Sequence, residues 1–397
     1  MAPLAIADIS LVTSIAAGRA PTLAALRAGA SGLAPCRFGD FPHPTYTGQV
    51  AGLDDHPLTG DFAPFDCRNN RLAKSALLAD DFFESVAAAR GRHGAARIGV
   101  FVGTSTSGLL STETAYRGID RATGRLPASF DYASTHNTYS LARFVRAFCG
   151  LAGPAFVVST ACAATAKVFA SAARMIEAGI CDAAIVGGAD TLCDTTLYGF
   201  HALGVIAEDP CRPFDVNRKG ISIGEAAGFV LLERPDAWHG PETIQLLGIG
   251  ESADAYHMSS PHPEGLGARL AMQRALASAG LVTSEIDYIN LHGTATQVGD
   301  IAEDHAVFAL FGDGTPASST KGVCGHTLGA SGAVEAAFCA LAIQHGFLPG
   351  SPHTQQLDPA FHIQYVAEGR PARIDRAMSN SFGFGGVNCS LILGRAA

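Results

Sequence analysis

The sequence predicts an α/β fold made of two duplicated βαβ-rich halves packed face to face, and three observations carry that expectation. The run Val157-Val158-Ser159-Thr160-Ala161-Cys162-Ala163-Ala164-Thr165-Ala166 reads as strand, small-residue elbow and helix. The order of elements around it repeats after residue 244. Each half also carries an Ala-rich helical stretch without a polar face, at 163–178 and 325–345, whose small side chains would let the two lie close together between sheets.

In chain order, residues 4–13 read as an opening strand and 20–30 as a short helix closed by Gly32. Residues 34–70 turn to Pro, Gly, Asp and His, an irregular surface segment, and 71–89 has a helical period. A buried strand at 96–104 runs into a Gly/Ser/Thr loop. Residues 109–141 show no clear pattern and are expected to hold a polar excursion at an interface or pocket. In the elbow helix, Val168, Ala172 and Met175 form one stripe beside Phe169, Ala173 and Ile176, with Gly179 as a stop signal. A strand at 182–189, a Pro/Arg/Asp/Gly-rich loop at 211–228 and a strand at 229–232 complete the first half. A joint at 235–241 separates an N-terminal half, 1–238, from a C-terminal half, 239–397. There, 244–250 is a strand, 269–279 a helix, 288–294 matches 98–104 with Gly-Thr in the same place, and 388–393 is the closing strand.

The 397 residues are 48% hydrophobic and only 16% charged, against about 25% charged in a typical soluble domain. So little charge implies a large interior and a sizeable subunit interface, with a homo-oligomer as the default. The net charge of −9, with no basic run, argues against nucleic acid. Ten cysteines without C-x-x-C pairs fit neither a disulfide framework nor a zinc site, and suit a reducing cytoplasm. The longest uncharged run, 147–166, is broken by Gly150, Gly153 and Pro154, so no membrane span is expected. Residues 1–20 lack the early positive charge of a signal peptide.

Cys162 is the candidate nucleophile, because a thiol at a helix N-terminus lies in the positive end of the backbone dipole, which lowers its pKa. A buried structural cysteine is the plain alternative. In the second half, His292 stands where a strand gives way to a loop, and His326 opens a glycine-flanked helix after Lys321. In a duplicated fold the C-terminal ends of equivalent strands meet, where ligands of α/β sheets bind. The loop Asn380-Ser381-Phe382-Gly383-Phe384-Gly385-Gly386 has backbone amides able to approach a substrate, and with the Cys162 amide it could form an oxyanion hole.

Five motifs together carry a resemblance: Ser159-Thr160-Ala161-Cys162, Pro210-Cys211-Arg212-Pro213-Phe214-Asp215, His292-Gly293-Thr294-Ala295-Thr296, Lys321 with Gly325-His326, and the 380–386 loop. From about residue 98 to the C-terminus, and more weakly before, the chain resembles the beta-ketoacyl-[acyl carrier protein] synthases of the elongating Cys-His-His type. The resemblance implies a thiolase-like fold, a layered α-β-α-β-α body. It implies a decarboxylating Claisen condensation in fatty acid or polyketide synthesis. Cys162 would hold the acyl group, and His292 and His326 would stabilise the enolate from malonyl-carrier protein. Cys162 and Phe384 amides would hold the oxyanion, with Phe384 gating the site. Thr294 and Thr296 would bind the pantetheine arm, and Lys321 paired with Glu335 would order both histidines. No metal and no bound cofactor are implied; substrates ride on the phosphopantetheine of an acyl carrier protein. The partner subunit would be a second copy or a homologue lacking the cysteine.

The chain departs from the family's pattern at Lys219, often aspartate, and at Ala295 and Gly299, more usually glycine and asparagine. The loop Gly103-Thr104-Ser105-Thr106-Ser107-Gly108, expected near the acyl pocket, is more polar than an alkyl wall needs and points to an unsaturated or polyene chain. The rivals are a thiolase acting on coenzyme A thioesters, for which Cys389 is available as second cysteine although its place in the final strand pattern argues that it packs, a non-catalytic chain-length subunit, and a Cys-His hydrolase.

Overall fold

The computed structural model describes residues 1–235, 240 and 242–395. Ten strands form the core. The first half runs Ala155–Val158, Ile98–Gly103, Ala183–Asp190, Ala226–Glu233 and Leu4–Thr13. The second runs Ala317–Ser318, Tyr288–Asn290, Arg376–Gly383, Val387–Arg395 and Ile244–Ala253. Counted by appearance within its half, each series has the spatial order 3-2-4-5-1. In each, the second strand pairs parallel with the third and fourth, and the fifth pairs antiparallel with the fourth and first. The halves join where Leu4 and Ala5 pair with Leu246 and Gln245. The expected boundary at 238/239 lies outside the described residues.

Successive strand side chains point to opposite faces, and here both faces are apolar. Val100, Val102 and Ile185 pack outward with Phe144 and Leu72, whereas Phe101, Ala184 and Val186 face inward. Leu391 and Leu393 also face inward, and Ile392 outward with Met272 and Val307. The inner cluster is filled by the helices Ala164–Glu177 and Ser331–His345, which completes the α-β-α-β-α layering.

These central helices touch through missing side chains. A Cβ on Gly332 would stand 2.5 Å from the Ala166 nitrogen. The Thr165 hydroxyl ties the pair together, donating to the Gly329 carbonyl at 2.6 Å and accepting from the Ala333 amide at 3.0 Å.

The single helix expected at 71–89 is two, Arg68–Leu77 and Phe82–His93. Asp80 breaks it with φ 53, and its carboxylate accepts the Arg19 amide at 2.8 Å. The 34–70 segment is irregular but not superficial throughout, since Val50, Leu53 and Leu58 are buried. The unreadable 109–141 stretch holds the helix Leu109–Arg117 and leads into Tyr139–Phe148. Among the described residues, the helices Asp194–Ala202 and Gln297–Phe311 and the short turn of helix Lys321–Cys324 escaped the pattern. Among the described residues no helix is long and apolar enough to cross a membrane.

Candidate active site

The elbow forms because the strand Ala155–Val158 ends in residues small enough to turn sharply. Ala161 takes φ 49, and Cys162 follows just ahead of the helix Ala164–Glu177. On the other side, Gly325 takes φ 81 between the backbones of Ser222 and Gly224, and the His326 amide donates to the Ser222 carbonyl at 2.7 Å. These two turns bring Cys162 Sγ to 2.9 Å from His326 Nε2. His292 sits just past the strand Tyr288–Asn290, its ring 5.4 Å from that of His326 and edge-on to it. The sulfur and one nitrogen of each imidazole lie within 4.8 Å of one another. All three residues are buried.

Lys321 stands behind the histidines, with Nζ 3.5 Å from His292 Nδ1 and 2.5 Å from Glu335 Oε1. An ammonium has only protons to offer, so His292 Nδ1 accepts and its Nε2 carries the ring proton. Burial holds both histidines well below the usual imidazole range, and the Lys321 charge pushes the same way, so both rings are neutral. That charge also opposes a metal ion at the cluster. Burial pushes the Cys162 thiol up to about 11, opposed by Lys321 and by the Phe384 amide facing the sulfur. This corrects the expectation of a thiol with lowered pKa: desolvation of the anion is the largest influence on the buried sulfur, and the thiol rests protonated beside a neutral base.

The glycine-rich loop lies against the elbow. A Cβ on Gly383 would stand 3.0 Å from the Thr160 oxygen and 3.3 Å from the Cys162 nitrogen, so the 383–384 backbone shares the space of the nucleophile's own amide. The Phe384 ring packs on Phe200 at 5.8 Å. A cavity of about 300 Å³ is lined by Cys162, His292, His326 and Phe384 and reaches Thr294, Thr296 and the exposed Lys219 and Val298. The Thr294 and Thr296 hydroxyls are 3.0 Å apart. Thr296 also caps the helix Gln297–Phe311, accepting from the Gly299 amide, and a Cβ on Gly299 would come within 2.4 Å of that hydroxyl. Ala295 takes φ 64, which gives the family's usual glycine there a physical reason.

Sequence reasoning missed the buried carboxylates beneath His292. Glu303 accepts the His292 and Gly293 amides at 2.8 and 2.7 Å, and Asp300 accepts those of Phe214 and Ala295 at 2.8 and 3.1 Å. The available signal was three acidic residues, Asp300, Glu303 and Asp304, within five positions of a largely apolar helix. Burial raises Glu303 from 4.5 to about 7 and Asp300 from 3.8 to about 6. Folded Glu303 therefore keeps a proton the unfolded chain has released, so its contribution to stability is full below pH 4.5 and is lost as pH rises through 7. Glu303→Gln should flatten the fall in stability across that window, measured by urea unfolding at stepped pH; a slope equal to wild type would count against it.

The polar 103–108 loop has a different duty from the one expected. Asp190, fully buried, accepts the Thr104 and Thr106 hydroxyls, each at 2.7 Å, and the Ser105 and Thr106 amides. The Thr104 and Thr106 hydroxyls are spent on a carboxylate, and the loop is absent from the lining of the cavity at Cys162. Cys389 is fully buried within the strand Val387–Arg395 and does not line that cavity, which removes the second cysteine a thiolase would need.

The family models for the N-terminal and C-terminal domains of beta-ketoacyl synthase match residues 76–237 and 244–355. The 3-oxoacyl-[acyl-carrier-protein] synthase 2 of Staphylococcus aureus is 31% identical over 379 residues, covering 87% of this chain and 92% of that protein. The mitochondrial 3-oxoacyl-[acyl-carrier-protein] synthase of Arabidopsis thaliana is 40% identical over 263 residues, 61% of this chain and 57% of that protein's length. Among solved structures, the ketosynthase ApeO in complex with its chain length factor ApeC, from Xenorhabdus doucetiae, superposes with a TM-score of 0.89 at 37% identity, covering 100% of this chain and 98% of that one. The ishigamide ketosynthase/chain length factor does so with a TM-score of 0.90 at 28% identity, covering 100% of both chains. Matches of this extent, on a fold whose two halves bring Cys162 to two histidines, establish that the chain belongs to the beta-ketoacyl synthase family.

Proposed function

We propose that the protein is a 3-oxoacyl-[acyl-carrier-protein] synthase that joins an acyl group on Cys162 to malonyl-carrier protein with loss of carbon dioxide. The observation that carries the reading is the 2.9 Å contact of Cys162 Sγ with His326 Nε2 at a cavity His292 also lines. In the first step the thiol proton passes to His326, the sulfur attacks the incoming thioester carbonyl, and pantetheine leaves as a thiol carrying a proton. Amides of Cys162 and Phe384 hold the oxyanion. In the second, the bond between the malonyl methylene and its carboxylate breaks, and Nε2 protons of His292 and His326 stabilise the enolate. Its carbon attacks the acyl carbonyl, and the Cys162 sulfur leaves and regains a proton. Thr294 and Thr296 line the way in for the pantetheine arm, and Lys321 with Glu335 keeps His292 in one tautomer.

The ten free cysteines suit a reducing cytoplasm. A second chain belongs at the edge strand Ala155–Val158, whose apolar residues are only partly buried here. Two of the matched structures are ketosynthases with a chain length factor, which favours a homologous partner beside the homodimer reading.

The test is to incubate the protein with a panel of acyl-carrier proteins, read the mass added to Cys162, and then add malonyl-carrier protein. A β-ketoacyl product with carbon dioxide release supports the proposal, whereas hydrolysis without a malonyl requirement would indicate a hydrolase. His292→Ala should slow condensation by about 10²–10³-fold while Cys162 still becomes acylated; equal loss in both steps would assign His292 another role.

A further inference from the structure

The two histidines are held by unlike partners. His292 Nδ1 faces an ammonium, which can only donate, so its tautomer is fixed. His326 Nδ1 instead faces the Ser331 hydroxyl at 3.1 Å, and Ser331 Oγ has the Thr327 hydroxyl at 3.2 Å as its other partner. All three residues are buried. A hydroxyl can rotate to donate or accept.

We propose that Ser331, backed by Thr327, is a positioning residue that lets His326 adopt each of its two tautomers in turn, one for acyl transfer and the other for condensation. This rests on the reaction proposed above. Before acylation the Cys162 thiol donates to Nε2, so Nδ1–H donates to Ser331 and Ser331 donates to Thr327. Once the sulfur carries an acyl group it has no proton, and the enolate oxygen needs a donor. Nε2 must then carry the proton, Nδ1 must accept from Ser331, and Thr327 donates to Ser331 in turn. One proton leaves Nδ1 and one arrives at Nε2, exchanged with water between the two substrates, so the ring stays neutral. A backbone carbonyl in place of Ser331 would permit only the first state, and an ammonium only the second.

The test separates the two half-reactions: transfer from acyl-carrier protein to Cys162, followed by mass, and β-ketoacyl formation by enzyme already acylated. Thr327→Val strands the Ser331 proton in the first state but only a lone pair in the second. It should therefore lower acylation relative to condensation by about 5–10-fold. Ser331→Ala should slow both steps by about 10-fold, and Ser331→Thr should restore them. If Thr327→Val leaves the ratio unchanged and Ser331→Ala is as active as wild type while His326→Ala loses both steps, this inference falls and the proposed reaction stands. If His326→Ala retains both steps, the proposed reaction falls too.

Discussion

Cys162→Ala is expected to abolish transfer of the acyl group to the protein, a loss on the order of 10⁴-fold or more, while the chain stays folded. The sulfur already borders a cavity, so removing it opens no new sealed void. His292, His326 and the Phe384 amide owe their positions to other contacts: Lys321 and Glu303 for the first, the Ser222 and Gly224 backbones for the second, the loop itself for the third. The variant should therefore still decarboxylate malonyl-carrier protein, releasing acetyl-carrier protein without condensation. Mass spectrometry of the protein and of the carrier reads both outcomes. Persistent acylation would show that the nucleophile lies elsewhere.

Glu335→Ala should be the most destabilising change at the site. Lys321 and Glu335 are both buried and paired at 2.5 Å, and removing one partner leaves the other charge without compensation, at a cost of about 3–5 kcal/mol. The His292 contact should loosen with it, since the ammonium that fixes its tautomer loses its anchor. Replacing both members, as in Lys321→Met with Glu335→Leu, should recover most of the stability and none of the condensation activity. Urea unfolding beside single-turnover condensation separates these effects. A stable, active Glu335→Ala would remove the pair from the account.

The elbow, the duplication and the close central helices were legible because each leaves a local signature: a β-branched run ending in small residues, a repeated order, an Ala-rich helix without a polar face. The break at Asp80 was not, because 71–89 satisfies a helical period and the reason to stop is a distant amide, that of Arg19. The helix Gln297–Phe311 was missed since its buried Asp300 and Glu303 look like a solvated face until the amides they receive are known. The part of the 103–108 polarity that goes to Asp190 was hidden for the same reason, the acceptor lying more than eighty residues away. Cys162 and the histidines could be picked out by residue type and setting, but their separation belongs to the folded backbone alone.

The contact of Gly332 with Ala166 thus acts as a caliper. The segments bearing the sulfur and the imidazole are spaced there by bare main chain, and one methyl on Gly332 would open the jaws without altering a single reactive atom. Reactivity in this chain is governed partly from a spot that has no chemistry of its own.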